Sequence, residues 1–105
     1  MGLPDFSRVE GFEWDEGNAR KSADKHGVSQ QEAEQVFANL PLLLLDDKRH
    51  SADEPRFHGY GKTNGGRLLQ VSFTIREAGT LIRVISSRPM SRRERQTYEK
   101  AENRS

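Results

Sequence analysis

The stretch that decides the fold is RFHGYGKTNGGRLLQVSFTIREAGTLIRVISS, residues 56–87. Four apolar residues recur in it at every second position, Leu69, Val71, Phe73 and Ile75. This is the period of a β-strand with one buried face. Turn sequences at 64–66 and 77–79 bound the strand on both sides. The stretch therefore predicts three successive antiparallel strands over residues 56–62, 69–75 and 80–87.

Two helices are predicted before this meander. Asp15 can cap a first helix that runs to about His26, where Gly27 provides a left-handed stop. Residues 29–32, Ser-Gln-Gln-Glu, form a capping box for a second helix, which Pro41 is expected to end. The buried stripe predicted for this second helix consists of Ala33, Val36, Phe37 and Leu40.

The grouping of strands and helices predicts an α+β fold. Residues 42–46 predict a first, buried strand, and a capping box at 91–94 predicts a C-terminal helix. The expected order is two N-terminal helices, an antiparallel sheet of three to four strands, and a C-terminal helix. We expect residues 12–102 to form a single domain and 1–11 to be a tail that can end in a short strand near 9–12.

Composition excludes several classes of protein. The 105 residues suit one domain, and the absence of cysteine excludes a disulfide scaffold and a thiol nucleophile. The absence of cysteine also fits a reducing cytoplasm, which is the expected location. No apolar run reaches membrane-spanning length. The net charge is +1, but residues 76–105 hold eight Lys/Arg against four Asp/Glu. A general DNA-coating role is therefore excluded, whereas a local basic patch is not.

The predicted strand over 56–62 has one unusually polar face. Arg56, His58, Tyr60 and Lys62 share that face, while Phe57 and two glycines share the other. The glycines would let a helix approach closely. The polar face is either a wet functional surface or an edge strand kept soluble by its side chains.

The side chains that remain as candidates for catalysis are those of His, Lys and Arg. His50 and His58 lack a partner at metal-ligand spacing, so the sequence predicts no metal and no cofactor. Metal-free RNA cleavage suits this set, because a 2′-hydroxyl attacks the adjacent phosphate with the help of a base, an acid and cations. Imidazole changes charge near neutral pH, and Lys and Arg supply positive charge.

Each candidate has a structural alternative. His26 is a candidate for proton transfer or a helix-end histidine that stabilises the dipole. Arg83 stands in an otherwise apolar strand and needs an anion, which is either a phosphate or a carboxylate of this chain. Arg88, Arg92 and Arg95 surround the start of the last helix, where they either bind phosphate or form a solvated face.

Four segments, in order, resemble the BrnT toxins of bacterial type II toxin–antitoxin systems. They are Phe12-Glu13-Trp14-Asp15 followed by Lys25-His26-Gly27-Val28-Ser29 with Glu32-Ala33 and Val36-Phe37; Glu54-x-Arg56-Phe57 with Gly61; Gly66-Arg67-Leu68-Leu69-x-Val71-x-Phe73-Thr74; and Arg83-Val84-Ile85-Ser86-Ser87-Arg88 with Arg92-Arg93-Glu94-Arg95-x-x-Tyr98-Glu99. The resemblance covers roughly residues 12–100, most of the chain.

The resemblance implies a RelE-like, metal-independent endoribonuclease toxin that inhibits translation and growth. It implies neutralisation by a cognate BrnA-like ribbon-helix-helix antitoxin, with DNA contacted only through that antitoxin and no membrane partner. It places catalysis on Lys25, His26, Arg56, Arg83 and Arg88, and RNA contact on Arg92 and Arg95. We expect His58 and Tyr60 to add further RNA contacts or to alter the choice of substrate. His58 and Tyr60 depart from the family, which often has apolar residues there. The alternative function is a non-catalytic RNA- or partner-binding module of the same fold.

Overall fold

The computed structural model describes residues 6–47 and 54–104. The elements in chain order are β1 (Gly11–Trp14), α1 (Glu16–His26), α2 (Gln30–Val36), β2 (Leu43–Asp46), β3 (Arg56–Lys62), β4 (Leu68–Arg76), β5 (Leu81–Pro89) and α3 (Arg92–Arg104). The strands form one sheet in the order β1-β5-β4-β3-β2. All neighbours are antiparallel except β1, which runs parallel to β5. No helix in this described part of the chain is long and apolar enough to span a membrane.

The predicted α+β class is confirmed, but the expected layout was incomplete. The sheet is mixed and has five strands, whereas an antiparallel sheet of three to four strands was expected. A strand precedes the first helix, at Gly11–Trp14 and not near 9–12. The meander of β3, β4 and β5 follows the sequence prediction closely, because period-two patterning and turn residues both act locally.

The helix ends show which local signals decided the structure. Asp15 accepts a hydrogen bond from the Asn18 amide at 3.0 Å, and Gly27 ends α1 with a φ of 63°. The predicted capping box at the start of α2 is also confirmed. The prediction for the end of α2 was wrong, because the helix stops at Val36 and Leu40 is 82% exposed. The predicted buried stripe therefore loses its last member.

The core lies between α2 and one face of the sheet. Ala33 and Val36 of α2 are fully buried against apolar residues of β3, β4 and β5. Phe37 meets Phe73 edge-on, with ring centroids 5.0 Å apart, and such pairs add to the hydrophobic stabilisation. Residues before β1 take part as well, because Phe6 packs against the same cluster. One face of the sheet is therefore covered, which leaves the other for polar side chains.

Gly61 permits the close approach of α2 to β3 that the sequence predicted. A Cβ atom at this position would lie 2.6 Å from Val36 Cγ1 and 3.2 Å from the Val36 carbonyl oxygen. The first distance is a severe overlap with a fully buried side chain. Only glycine fits here without a displacement of the helix.

We therefore expect Gly61→Ala to lower the free energy of unfolding by about 1–3 kcal/mol, the usual cost of overpacking a core. The matched control is Gly65→Ala, because a Cβ there meets only Thr63 Oγ1, at 3.9 Å. Urea denaturation of the two variants measures the difference. Equal denaturation midpoints would show that α2 shifts without cost.

β2 lies at the edge of the sheet and is only partly buried, whereas a buried strand was predicted. Among the described residues it pairs with β3 alone, and its burial falls along the strand until Leu45 is 40% exposed. A run of leucines cannot by itself distinguish an edge strand from a central one. The segment before it supports α3, because the buried Tyr98 donates its hydroxyl to the Pro41 carbonyl at 2.6 Å.

Candidate active site

The face of the sheet opposite α2 carries polar side chains in rows that cross the strands. Residues that pair directly across neighbouring strands lie on the same face, so the register defines these rows. The first row contains Glu13, Arg83, Thr74 and Arg56, the second Ser86, Ser72 and His58, and the third Arg88, Gln70 and Tyr60. We call these residues the polar face.

A β-bulge brings Arg83 and Arg88 onto this one face. The two residues are five positions apart, so in a regular strand they would point to opposite faces. In β5, however, Val84 pairs with Phe73 and Ser86 pairs with Ser72, so that Ile85 is an extra residue. The bulge reverses the alternation and re-aims every later side chain. Both arginines thereby join Arg56 on the polar face.

Arg83 is held by carboxylates of this chain. Its Nη1 lies 2.6 Å from Glu13 Oε1, and its Nη2 lies 3.8 Å from Asp15 Oδ2. Glu13 also accepts a hydrogen bond from Arg76 at 3.2 Å. The salt bridge that the sequence left open is thus present. A guanidinium has five N–H donors, so this pairing leaves donors that can reach a phosphate.

Arg88 forms a two-pronged ion pair with Glu94 at the start of α3. Its two terminal nitrogens donate to the two carboxylate oxygens, each at 2.8 Å. These hydrogen bonds are the main cause that lowers the pKa of Glu94 to about 2. Glu94 also accepts from the Ser91 amide and so completes the predicted capping box. The pair is therefore charged at neutral pH and ties β5 to α3.

Tyr60 lies next to this ion pair. Burial raises the pKa of its phenol, and the nearby charge of Glu94 raises it further. The hydroxyl is consequently protonated at neutral pH, when it can donate a hydrogen bond. The third row therefore holds the protonated phenol of Tyr60 next to Arg88, whose guanidinium is already paired with Glu94.

His58 is held through both ring nitrogens. Its Nε2 lies 3.0 Å from Asp47 Oδ2, and its Nδ1 lies 2.8 Å from Ser72 Oγ and 3.3 Å from Gln70 Nε2. The imidazole side chain is 27% exposed, whereas Asp47 is only 7% exposed. The ring is thus fixed in orientation but still accessible from solvent.

Lys25 and His26 lie at the border of the polar face. β1 ends at Trp14, and α1 lies beside the rest of β5, where the Ser87 amide donates to Ser22 Oγ at 3.1 Å. The last turn of α1 and residues Ile85 and Ser86 line a cavity of about 230 Å³, whose other lining residues are Asn18, Lys21 and Ser22. Because Ser86 belongs to the second row, the cavity opens beside that row.

The structure groups most of the predicted site residues but not all of them. Arg56, Arg83, Arg88, His58 and Tyr60 share the polar face, and Lys25 and His26 adjoin it. Two others, Arg92 and Arg95, lie exposed on α3 outside the three rows, and within residues 6–47 and 54–104 neither forms an ion pair. His50 lies outside those described ranges.

Several residues of the site were missed by the sequence analysis. Glu13, Asp47 and Glu94 are the carboxylates that orient its cations and imidazole. Thr74, between Arg56 and Arg83, has a buried hydroxyl for which the residues that the structure describes supply no hydrogen-bond partner. The alternation of Gln70, Ser72 and Thr74 in β4 was a readable signal for this face. Among the residues that the structure describes, no His, Asp and Glu form a group of three that could hold a metal ion.

Comparisons with known proteins agree with the resemblance seen in the sequence. A family model described as "Ribonuclease toxin, BrnT, of type II toxin-antitoxin system" matches residues 14–94. The fold is similar to the crystal structure of the Brucella abortus ribonuclease toxin, BrnT, with a TM-score of 0.61 and 24% identity over 80% of this chain and 100% of that one. No curated protein matched. Since the family model spans most of the chain, this protein belongs to the BrnT family of ribonuclease toxins of type II toxin–antitoxin systems.

Proposed function

We propose that this protein is a metal-independent endoribonuclease that cleaves RNA in the bacterial cytoplasm and thereby inhibits translation and growth. Family membership supports the reaction class. The observation that carries the proposal is the bulge in β5, because it places Arg83 and Arg88 on the same face as Arg56, a face bordered by His26. Cations around one open surface, with a titratable group beside them, suit phosphoryl chemistry.

The proposed reaction is attack of a 2′-hydroxyl on the adjacent phosphate. Arg56 and Arg83 flank Thr74 in one row, and their donors would surround the phosphate oxygens as negative charge develops on them. Lys25 adds a mobile cation at the border. His26 would exchange a proton with the reacting oxygens, as imidazole can near neutral pH. Arg88 would add its positive charge to that of Arg56, Arg83 and Lys25 from its place in the third row.

RNA binding would extend beyond the reacting phosphate. Tyr60 and His58 present rings on which bases can stack, as single-stranded RNA does on aromatic side chains. Arg92 and Arg95, exposed on α3, would contact the RNA backbone. His58 and Tyr60 are therefore positions where this chain can differ from its relatives in the RNA that it prefers.

A toxin of a type II system implies an antitoxin partner. We propose that a BrnA-like ribbon-helix-helix antitoxin covers the polar face and neutralises the protein. Carboxylates on the antitoxin would compete with RNA phosphates for the same arginines. In this proposal the toxin contacts DNA only indirectly, through the DNA-binding part of the antitoxin.

One observation favours a second candidate, a non-catalytic RNA- or partner-binding module. Arg83 and Arg88 are both engaged with carboxylates of this chain, so each arginine has a structural role that needs no substrate. In this alternative the arginines hold β1 and α3 to the sheet, and the protein binds RNA or a partner without cleaving it.

The test is RNA cleavage by the purified protein in EDTA, together with growth after induction without an antitoxin. We expect cleavage in EDTA and growth arrest, because the proposed site uses only protein side chains. Activity that appears only with added magnesium or manganese would contradict the metal-free mechanism. If neither cleavage nor growth arrest occurs although the protein is folded and expressed, the non-catalytic alternative is favoured.

A further inference from the structure

His58 takes part in a series of hydrogen bonds that its expected role in RNA binding does not require. The series runs from Asp47 through the imidazole to Ser72, with distances of 3.0 Å and 2.8 Å. Asp47 is anchored independently of its side chain, because its amide donates to the Arg56 carbonyl at 2.8 Å. The carboxylate is therefore fixed relative to β3, the strand that carries His58.

This arrangement selects one tautomer of the neutral imidazole. A carboxylate can only accept hydrogen bonds, so the nitrogen that faces Asp47, Nε2, must carry a proton. The other nitrogen, Nδ1, then has a free lone pair, which accepts from the Ser72 hydroxyl and the Gln70 amide. An imidazole whose orientation and tautomer are fixed by a carboxylate is prepared to take up a proton at its second nitrogen.

We propose that His58 is the general base of the RNA cleavage and that Asp47 is its positioning residue. This inference rests on the proposed function. In the complex the 2′-hydroxyl of the RNA takes the place of Ser72 at Nδ1. The proton moves from O2′ to Nδ1, the O2′–P bond forms and the P–O5′ bond breaks. The departing O5′ receives its proton from the imidazolium of His26, which leaves a 2′,3′-cyclic phosphate and a 5′-hydroxyl.

The sheet separates the base and the acid by a suitable distance. His58, Ser72 and Ser86 form the second row, and neighbouring strands lie about 4.8 Å apart, so β3 and β5 are about 10 Å apart. His26 lines the cavity beyond Ser86. A phosphate near Arg83 and Thr74 would lie in the first row, next to the row whose two ends are flanked by the imidazoles.

The first variants to test are His58→Gln and Asp47→Asn. His58→Gln is expected to slow cleavage of an RNA with one cleavage site by about a hundredfold and to flatten the acidic limb of the pH–rate profile. Asp47→Asn should slow the reaction, since an amide can donate as well as accept and no longer fixes the tautomer. The control is Lys62→Gln, a change on the same strand and the same face as His58, which breaks the ion pair between Lys62 and Glu102 of α3. It should retain the wild-type rate and profile.

A readout that does not depend on activity is the tautomer itself. Long-range ¹H–¹⁵N NMR spectra of the wild-type protein should show the proton of neutral His58 on Nε2, and the spectra of Asp47→Asn should show a mixture. A proton on Nδ1 in the wild type would overturn the inference. So would an unchanged rate and acidic limb in a folded His58→Gln variant, in which case the proposed ribonuclease function would stand. Absence of cleavage by the wild type would instead remove the proposed function and this inference together.

Discussion

Arg83→Ala is expected to slow RNA cleavage by about 10²–10³-fold, the usual cost of losing one donor to a developing negative charge. The fold should persist, because the Arg83 side chain is 28% exposed and its partner Glu13 is 33% exposed, and ion pairs at such sites contribute about 1 kcal/mol or less. Single-turnover cleavage measures the rate, and circular dichroism with thermal unfolding measures the fold.

The matched control for Arg83→Ala is Glu13→Gln. If Arg83 only joins β1 to β5, removal of either partner should cost about the same activity. If Arg83 contacts the phosphate, Arg83→Ala should lose much more activity than Glu13→Gln, which removes only a carboxylate that orients the guanidinium. Equal losses in the two variants, or unfolding of Arg83→Ala, would assign Arg83 a structural role.

Arg88→Ala is expected to lower activity as well, but it needs a different comparison. Glu94 is only 16% exposed, so removal of Arg88 alone leaves a poorly solvated carboxylate without its partner. The double variant Arg88→Ala/Glu94→Gln separates that cost from the loss of a phosphate contact. Recovery of activity in the double variant would show that Arg88 serves the structure.

His26→Gln is expected to slow cleavage by about 10²–10⁴-fold, the range for loss of a general acid or base. If His26 donates the proton to the departing O5′, its loss should flatten the basic limb of the pH–rate profile. Loss of His58 should affect the acidic limb, so the two histidines can be told apart. As a residue that only stabilises the end of α1, His26 would contribute about 0.3–1 kcal/mol to stability and leave the profile unchanged.

An RNA with a bridging 5′-sulfur at the cleavage site sharpens this test. A thiolate leaves without a proton, because its conjugate acid is far stronger than an alcohol. The His26→Gln variant should therefore cleave this substrate at close to the wild-type rate, whereas His58→Gln should not recover. A His26→Gln variant that remains equally slow on both substrates would exclude His26 as the acid.

The sequence predicted those parts of the fold that local signals determine. Asp15, Gly27 and the capping box at Ser29 were sufficient for the ends of α1 and the start of α2, because each cap satisfies backbone groups within one turn. The alternation in 56–62 was sufficient to place Arg56, His58 and Tyr60 on one face. Such local arguments do not apply to an element whose partner is distant in the sequence. β1 is an element of this kind, and it is too short to show a pattern of its own.

The sequence named many of the side chains that lie on the polar face, but neither their geometry nor their carboxylate partners. Nothing local in β5 indicates that Ile85 is the bulged residue, and without the bulge Arg88 would face the core. The partners of Arg83 and His58 were also unpredictable, since Glu13 and Asp47 reach them only through the pairing of strands. Their contacts follow from topology, which composition and spacing do not determine.

The parallel pairing of β1 with β5 also has a consequence for the order of assembly. Glu13 and Arg83 are 70 residues apart in the chain, and within residues 6–47 and 54–104 the one sheet neighbour of β1 is β5. During synthesis β1 can therefore pair only after β5, about 70 residues later, has been made. Such non-local closure is slow compared with helix and hairpin formation. The row that contains Arg83 depends on this non-local pairing, so we expect it to be completed after the helices and hairpins have formed.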